Sequence, residues 1–251
     1  SVSDSIIDPL NYWDVNVNGT INLLSVMKKN NCNNIVFSSS ATIYNSRIKE
    51  KIDENTELKP INPYGNTKLV IENLLNDLSK SERNKWRIAN LRYFNPVGAH
   101  SSSYLGEDPK KKVNNLFPSI FDAIQKKTEY LPIYGSDWPT KDGTCVRDFI
   151  HIMDLAEAHL LVLNYLIKNE PQNLKLNIGT GQGFTVLEVV NTFINQINLD
   201  LKYKFVDRRM GDYPEVVADN SLAKSILKWE PKRNLLDMCI DSWNWNKNRK
   251  K

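Results

Sequence analysis

Three side chains in two short segments could together move a proton. Ser38-Ser39-Ser40-Ala41-Thr42-Ile43-Tyr44 supplies a hydroxyl, and Asn62-Pro63-Tyr64-Gly65-Asn66-Thr67-Lys68 supplies a phenol and an ammonium group. Tyr64 and Lys68 lie four apart, so on a helix they share one face. A free phenol titrates at about pH 10 and is a poor base near neutrality. A neighbouring ammonium favours the phenolate, each unit of depression being worth about 1.4 kcal/mol, and tunes Tyr64 toward proton exchange with an alcohol. The Tyr-x-x-x-Lys spacing alone is weak evidence, because a chain with 10 Tyr should show about one such match by chance, ordinarily as a surface pair. Ser40 sharpens it. It sits just past the short buried strand Ile35-Val36-Phe37, at the strand's C-terminal end, where open parallel sheets bind ligands. The bland alternative for three serines is a polar strand end whose hydroxyls bond the backbone.

The elements that must position these groups follow a helix–strand–helix–strand rhythm, which predicts a doubly wound parallel sheet. Asp8-Pro9 opens a helix, with Leu10, Trp13, Val17, Ile21 and Leu24 at helical spacing and Lys28-Lys29-Asn30 at its end. A second helix begins at Asn62-Pro63 and buries Ile71, Leu74, Leu75 and Leu78; a strand from Ile88 to Tyr93 follows. Residues 96–145 are loop-rich around one helix near Leu116 to Lys126. From Val146 to Leu166 the strand-then-helix pattern returns, with His151 and His159 expected to pack or cap locally. Leu174 then starts a strand, a turn, a capped helix and a second strand leading to Arg208-Arg209. The last helix is expected to carry Trp229, Trp243 and Trp245. Residues 1–95 thus read as the C-terminal half of a Rossmann-like domain, and 96–251 mainly as a second α/β unit, smaller than a complete first domain, from which about 146–170 return to the first.

One segment imitates a phosphate loop. Asn177-Ile178-Gly179-Thr180-Gly181-Gln182-Gly183-Phe184 joins a strand to a helix, but the third glycine of G-x-G-x-x-G is replaced by Phe184. Thr185 and Glu188 form a capping box instead, so a structural tight turn is expected. Arg147, and the Arg208-Arg209 pair with Asp212, are the anion-site candidates, since guanidinium groups bind phosphate bidentately. An isolated Arg is ordinarily a surface ion-pair partner.

Composition narrows the classes. The 251 residues carry a net charge of +4 with scattered basic residues, tight only at Lys110-Lys111-Lys112 and Lys250-Lys251. No basic stripe interleaved with aromatics points to nucleic acid. Cys32, Cys145 and Cys239 have neither disulfide nor zinc spacing. No apolar run suits a bilayer, and no signal peptide is apparent. A cytoplasmic protein without a metal is expected.

The chain resembles the UDP-glucose 4-epimerases, extended short-chain dehydrogenase relatives, from end to end. The markers are the two segments above, Leu91-Arg92-Tyr93-Phe94-Asn95-Pro96-Val97-Gly98-Ala99-His100, Gly106-Glu107-Asp108-Pro109, Asn114-Asn115-Leu116, Asp142-Gly143-Thr144, Val146-Arg147-Asp148 with Ile150-His151, and Arg208-Arg209 with Gly211-Asp212. Related dehydratases carry Asp-Glu at Ala41-Thr42. The resemblance implies NAD as cofactor and a UDP-hexose as substrate. Tyr64 would exchange the sugar 4-OH proton, Ser40 bond the same oxygen, and Lys68 hold the nicotinamide ribose, with Tyr93 and Phe94 bordering the nicotinamide. Asn95, Asn115, Leu116 and Tyr134 would line the nucleotide site, Arg147 and Arg209 bind the diphosphate, and Asp212 bind the ribose. A homodimer is implied as well.

Two departures from the family pattern bear on function. The family's Gly-rich phosphate loop should precede Ser1 by most of a mononucleotide-binding half, about 80–95 residues, so poor NAD binding and little turnover are expected of this chain alone. Val216 occupies the family's gate for the sugar 2-substituent, where a small residue admits N-acetyl groups. Met210, where the family often has Glu, is a lesser departure. The readings that compete with an epimerase are an enzyme of UDP-pentose or UDP-uronate, a non-catalytic UDP-sugar-binding or interaction protein, and a chain whose other half is a separate polypeptide.

Overall fold

Asp8 caps the expected helix, its carboxylate accepting the Asn11 N–H at 3.2 Å, but the helix is not continuous. The computed structural model describes residues 2–45, 51–81, 85–108, 115–209 and 211–249. Pro109, the Lys110-Lys111-Lys112 run, Asn114, Met210 and Lys250-Lys251 lie outside the described residues. Helix α1 (Val2–Ile7) and α2 (Pro9–Trp13) pass through a π turn (Asp14–Asn18) into α3 (Gly19–Lys29). A π turn inserts extra residues into the helical repeat and rotates the apolar stripe. Of the five residues expected to share a face, only Leu24 is buried, while Leu10 is 81% exposed.

The chain continues through β1 (Asn34–Ser40), α4 (Pro63–Ser81), β2 (Arg87–Tyr93), β3 (Asn95–Val97), α5 (Leu116–Ile124), β4 (Leu131–Tyr134), β5 (Val146–Arg147), β6 (Phe149–His151) and α6 (Ile152–Lys168). Then come β7 (Asn173–Ile178), β8 (Phe184–Thr185), α7 (Val186–Asn191) with a π turn (Thr192–Gln196), β9 (Tyr203–Val206), β10 (Glu215–Val216), α8 (Ser221–Leu227) and α9 (Leu235–Asn248). Strands β1, β2 and β7 form one parallel sheet in that order, with Ser40 beside Tyr93 and Tyr93 beside Ile178. β7 therefore joins the central sheet too, and α8 packs against it through Ala223 and Leu227, beyond the stretch around residues 146–170.

Helices cover both faces of this sheet. Side chains alternate along a strand, so Ile88 packs with Ile71 and Leu75 of α4 and Leu24 of α3. Ala89 and Leu91 face the other way, onto Leu155, Ala158 and Val162 of α6. Asn62 starts α4 by accepting the Gly65 N–H at 2.8 Å, with Pro63 in the first helical position. A second core gathers Phe117, Ile120 and Phe121 of α5, Leu131 and Ile133 of β4, Val189 and Val190 of α7, Phe193, and Met238 and Cys239 of α9. β4 pairs in parallel with β9 beside it. The architecture is α/β with parallel sheets, as the alternating pattern predicts.

Trp229 is not on the last helix. It lies between α8 and α9, buried, with its indole N–H donating to the Asp154 carbonyl at 3.1 Å. Among the described residues the three cysteines are free, no helix is long and apolar enough to cross a membrane, and no His/Cys/Asp/Glu cluster could hold a metal.

Candidate active site

The C-terminal ends of β1 and β2 and the first turns of α4 bring Ser40, Tyr64, Lys68 and Tyr93 together. Ser40 closes β1 and caps the short turn that follows, its hydroxyl accepting from the Thr42 N–H at 3.2 Å. That hydroxyl also stands close enough to the Tyr64 phenol to act on its titration. Lys68 donates to the Ser38 carbonyl at 3.0 Å, and its ammonium lies 5.5 Å from the centre of the Tyr64 ring and 5.0 Å from that of Phe37. α4 can approach this closely because residue 65 is glycine. A Cβ there would stand 2.7 Å from the Thr42 carbonyl oxygen. Two contacts were not legible as site features: Ser5 of α1 accepts the Tyr64 N–H at 3.2 Å, and the Tyr12 ring meets the Tyr64 ring edge-on at 6.4 Å.

The electrostatics differ from the expectation that Lys68 lowers the phenol. Burial pushes the Tyr64 phenol up, against the Ser40 hydroxyl, which lowers it; Tyr12 adds to the rise. Burial also pushes the Lys68 ammonium down. The Lys68 charge is directed at the Ser38 carbonyl, and desolvation wins.

Tyr93 is tied in place from two sides. Its hydroxyl lies 2.8 Å from Ser38 Oγ and 2.5 Å from His159 Nε2. His159 Nδ1 sits 2.8 Å from the Leu155 carbonyl and must donate there, which leaves Nε2 as the acceptor of the Tyr93 proton. Burial pushes the Tyr93 phenol up to about 12. Phe94 differs: its side chain is buried with Ala41, Ile43, Tyr44, Ile52 and Ala218, and Val216 packs on that same cluster.

A second group lies where β5, β10 and the ends of β4 and β9 meet. Val216 is the parallel partner of Arg147. Arg147 donates to the Val146 and Tyr213 carbonyls at 2.8 Å and lies 3.5 Å from an Asp212 oxygen. Arg209 bonds both Asp212 oxygens at 3.2 Å and stacks 5.1 Å from the centre of the Tyr134 ring. Arg208 points away from this group, onto Trp138 and Asp137. Asn95 donates its N–H to the Asp148 carbonyl at 3.0 Å, pairing β3 beside β6. Asn115 stands exposed at the N-cap position of α5, with no side-chain capping hydrogen bond, and Leu116 packs on the second core.

The turn that imitates a phosphate loop already holds an anion, the buried carboxylate of Asp148. One oxygen accepts from the Thr180 N–H and hydroxyl, both at 2.7 Å; the other accepts from Gly181 N–H at 2.9 Å and Ala218 N–H at 3.2 Å. Gly181 has φ 74°, a conformation that favours glycine. Burial raises the Asp148 carboxyl, opposed by these hydrogen bonds. The expected Thr185–Glu188 capping box is present, as is the His151 cap on α6.

The residues fit a nicotinamide cofactor. The half-buried Lys68 and the tethered Tyr93 stand at the carboxyl ends of parallel strands, the general position of such ligands. Residues 1–179 match the NAD dependent epimerase/dehydratase family. A bifunctional UDP-glucose 4-epimerase and UDP-xylose 4-epimerase of Pisum sativum is 45% identical over 249 residues, covering 99% of this chain and 71% of that protein. A UDP-glucose 4-epimerase of Bacillus subtilis is 45% identical over 245 residues, covering 98% and 72%. A crystal structure of a UDP-glucose-4-epimerase from Stenotrophomonas maltophila with bound NAD and formylated UDP-arabinopyranose superposes with a TM-score of 0.96 at 41% identity, over 100% of this chain and 74% of that one. The chain belongs to the NAD dependent epimerase/dehydratase family of enzymes, whose cofactor is NAD.

Proposed function

We propose that the protein interconverts UDP-glucose and UDP-galactose by inverting the sugar at C4. The observation that carries this is the convergence of the Ser40 hydroxyl, the Tyr64 phenol and the Lys68 ammonium at the end of the parallel sheet. NAD, when bound, supplies the hydride chemistry at C4, and Lys68, Tyr64, Ser40 and Tyr93, with the backbone around the buried Phe94, would hold it. Tyr64 takes the 4-OH proton and later returns it, while Ser40 bonds the same oxygen and keeps the reacting atom in line. The oxidised sugar, a 4-ketone, stays tethered through its diphosphate to Arg147 and Arg209 while its ring turns. Asp212 would accept ribose hydroxyls, and Asn95, Asn115, Leu116 and Tyr134 would line the nucleotide. In this reading residues 1–95 belong to the cofactor side, and 96–251 mainly to the UDP-sugar side.

Val216 extends the reading to UDP-N-acetylhexosamines. A valine opposite Arg147 leaves more room beside the sugar's C2 than an aromatic ring would. A homodimer is supported by the number of exposed apolar side chains on α1 to α3, among them Ile7 at 82% and Leu10 at 81% exposed, since a protein surface seldom leaves so many apolar side chains together without a partner. The free cysteines suit the cytoplasm. The test is to supply the full-length protein and NAD with UDP-galactose, UDP-N-acetylgalactosamine and UDP-xylose separately. Conversion of the first two to their C4 epimers supports the reading; turnover of UDP-xylose alone overturns the hexose assignment, and no turnover of any overturns the enzyme.

A further inference from the structure

Beneath the Ser40–Tyr64–Lys68 group lies a buried ion pair that the proton transfer does not use. Arg92 Nε donates to one Glu72 oxygen at 3.0 Å and Nη2 to the other at 2.7 Å, with both side chains at most 2% exposed. Ser39 Oγ donates to the Glu72 carboxylate at 2.5 Å. Arg92 Nη1 donates to Tyr44 Oη at 2.7 Å, and Tyr44 donates to Asn177 Oδ1 at 2.7 Å. The cluster thus ties the ends of β1, β2 and β7 to α4.

Its members neighbour the site at every point. Ser39 lies between Ser38, whose carbonyl receives Lys68, and Ser40. Glu72 is one helical turn beyond Lys68 and two beyond Tyr64, and Arg92 precedes Tyr93. Side-chain alternation sends Arg92 to the α4 face and Tyr93 to the α6 face, so the pair fixes the strand ends without entering the crevice. A buried ion pair adds little net stability against an apolar replacement, which leaves geometry as the reason for placing one here.

We infer that Ser39, Glu72 and Arg92 are positioning residues that hold the end of β1 against α4 so that Ser40 meets the Tyr64 phenol. The inference rests on the reading that Ser40 and Tyr64 exchange the sugar proton. The groups facing Tyr64 are Ser40 of β1, Lys68 of α4, Tyr12 of α2 and Tyr93 of β2. Among them the Ser40 hydroxyl opposes the rise that burial causes, so slackening β1 should raise the phenol further.

Glu72→Gln leaves Arg92 as an unpaired buried cation and endangers folding, so the decisive variant is Ser39→Ala, which keeps the ion pair and removes only its link to β1. In the full-length holoenzyme, kcat per folded molecule for UDP-galactose should fall roughly 10- to 100-fold, with KM within about twofold. Ser39→Thr, which keeps the hydroxyl, should recover most of the rate. In cofactor-free protein, tyrosinate absorbance referenced to Tyr64→Phe should show Tyr64 titrating at higher pH in Ser39→Ala than in wild type. A purely structural role would lower thermal stability and move neither readout. Wild-type kcat together with an unshifted Tyr64 titration in Ser39→Ala overturns the inference. An inactive wild type would instead overturn the epimerase reading, with the Tyr64 titration still deciding the positioning.

Discussion

Replacing Asp148 should unfasten the joint between the central sheet and the strand that carries Val216. The carboxylate is fully buried and accepts four hydrogen bonds, at 2.7, 2.7, 2.9 and 3.2 Å. Asp148→Ala leaves the N–H groups of Thr180, Gly181 and Ala218 without their acceptor, each orphaned donor costing about 1–3 kcal/mol. Removing a desolvated carboxylate, and water entering the space left, offset part of that sum. The net loss is about 3 kcal/mol, and about 2 kcal/mol for Asp148→Asn, which retains one acceptor but sets an amide donor against the Gly181 and Ala218 donors. Urea denaturation measures it, as a lower midpoint with an unchanged slope. Because β10 pairs with β5 through Val216 and Arg147, the folded variant should also bind UDP about tenfold more weakly, a loss of about 1.4 kcal/mol. A loss below about 0.5 kcal/mol, with unaltered UDP affinity, would refute the view that this turn exists to seat Asp148.

Gly65→Ala should drive a Cβ to 2.7 Å from the Thr42 carbonyl, push α4 off the Ser40 turn, and lower kcat by about 100-fold more than it weakens UDP binding; equal effects on both would contradict the close-approach argument. Arg147→Ala and Arg209→Ala should each weaken UDP by roughly tenfold while leaving uridine binding nearly unchanged, as calorimetry would report. The alkaline limit follows from the buried phenols. Tyr44, Tyr64 and Tyr93 all titrate above the ordinary 10.0, Tyr93 at about 12, so the folded state holds more protons than the unfolded one in that window. Their contribution to stability is therefore full below pH 10.0 and falls as pH rises through about 12; Tyr93→Phe should flatten part of that fall in denaturation midpoints.

Much of this site was legible in the sequence because its signals are local. The Asn62-Pro63 helix start, the strand ending in serines and the four-residue spacing of Tyr64 and Lys68 each express a rule that spans few residues. The same holds for the Thr185–Glu188 box. What stayed hidden depends on contacts distant in the chain. Asp148 fills the turn at Thr180-Gly181 from 32 residues away, so a segment shaped for an anion carries no trace of which anion it holds. The π turn at Asp14–Asn18 leaves the apolar spacing looking continuous while it turns the face outward. Arg92 did leave a signal, since a cation that ends the buried run Ile88 to Arg92 demands a carboxylate nearby, and Glu72 stands on the buried side of α4. The direction of the Tyr64 shift was inaccessible, because spacing reveals a neighbouring ammonium but not the extent of burial or the carbonyl that engages it.

In the proposed reaction Tyr64 exchanges the proton of the sugar hydroxyl. The most direct measurement is kcat for UDP-galactose conversion by the full-length protein with NAD, wild type against Tyr64→Phe, alongside the UDP affinity of each. A positioned general acid–base group contributes about 10²–10⁴-fold, so kcat should fall by that factor with UDP affinity unchanged. A Tyr64→Phe enzyme that retains kcat within about threefold would mean that Tyr64 is not the group that exchanges this proton.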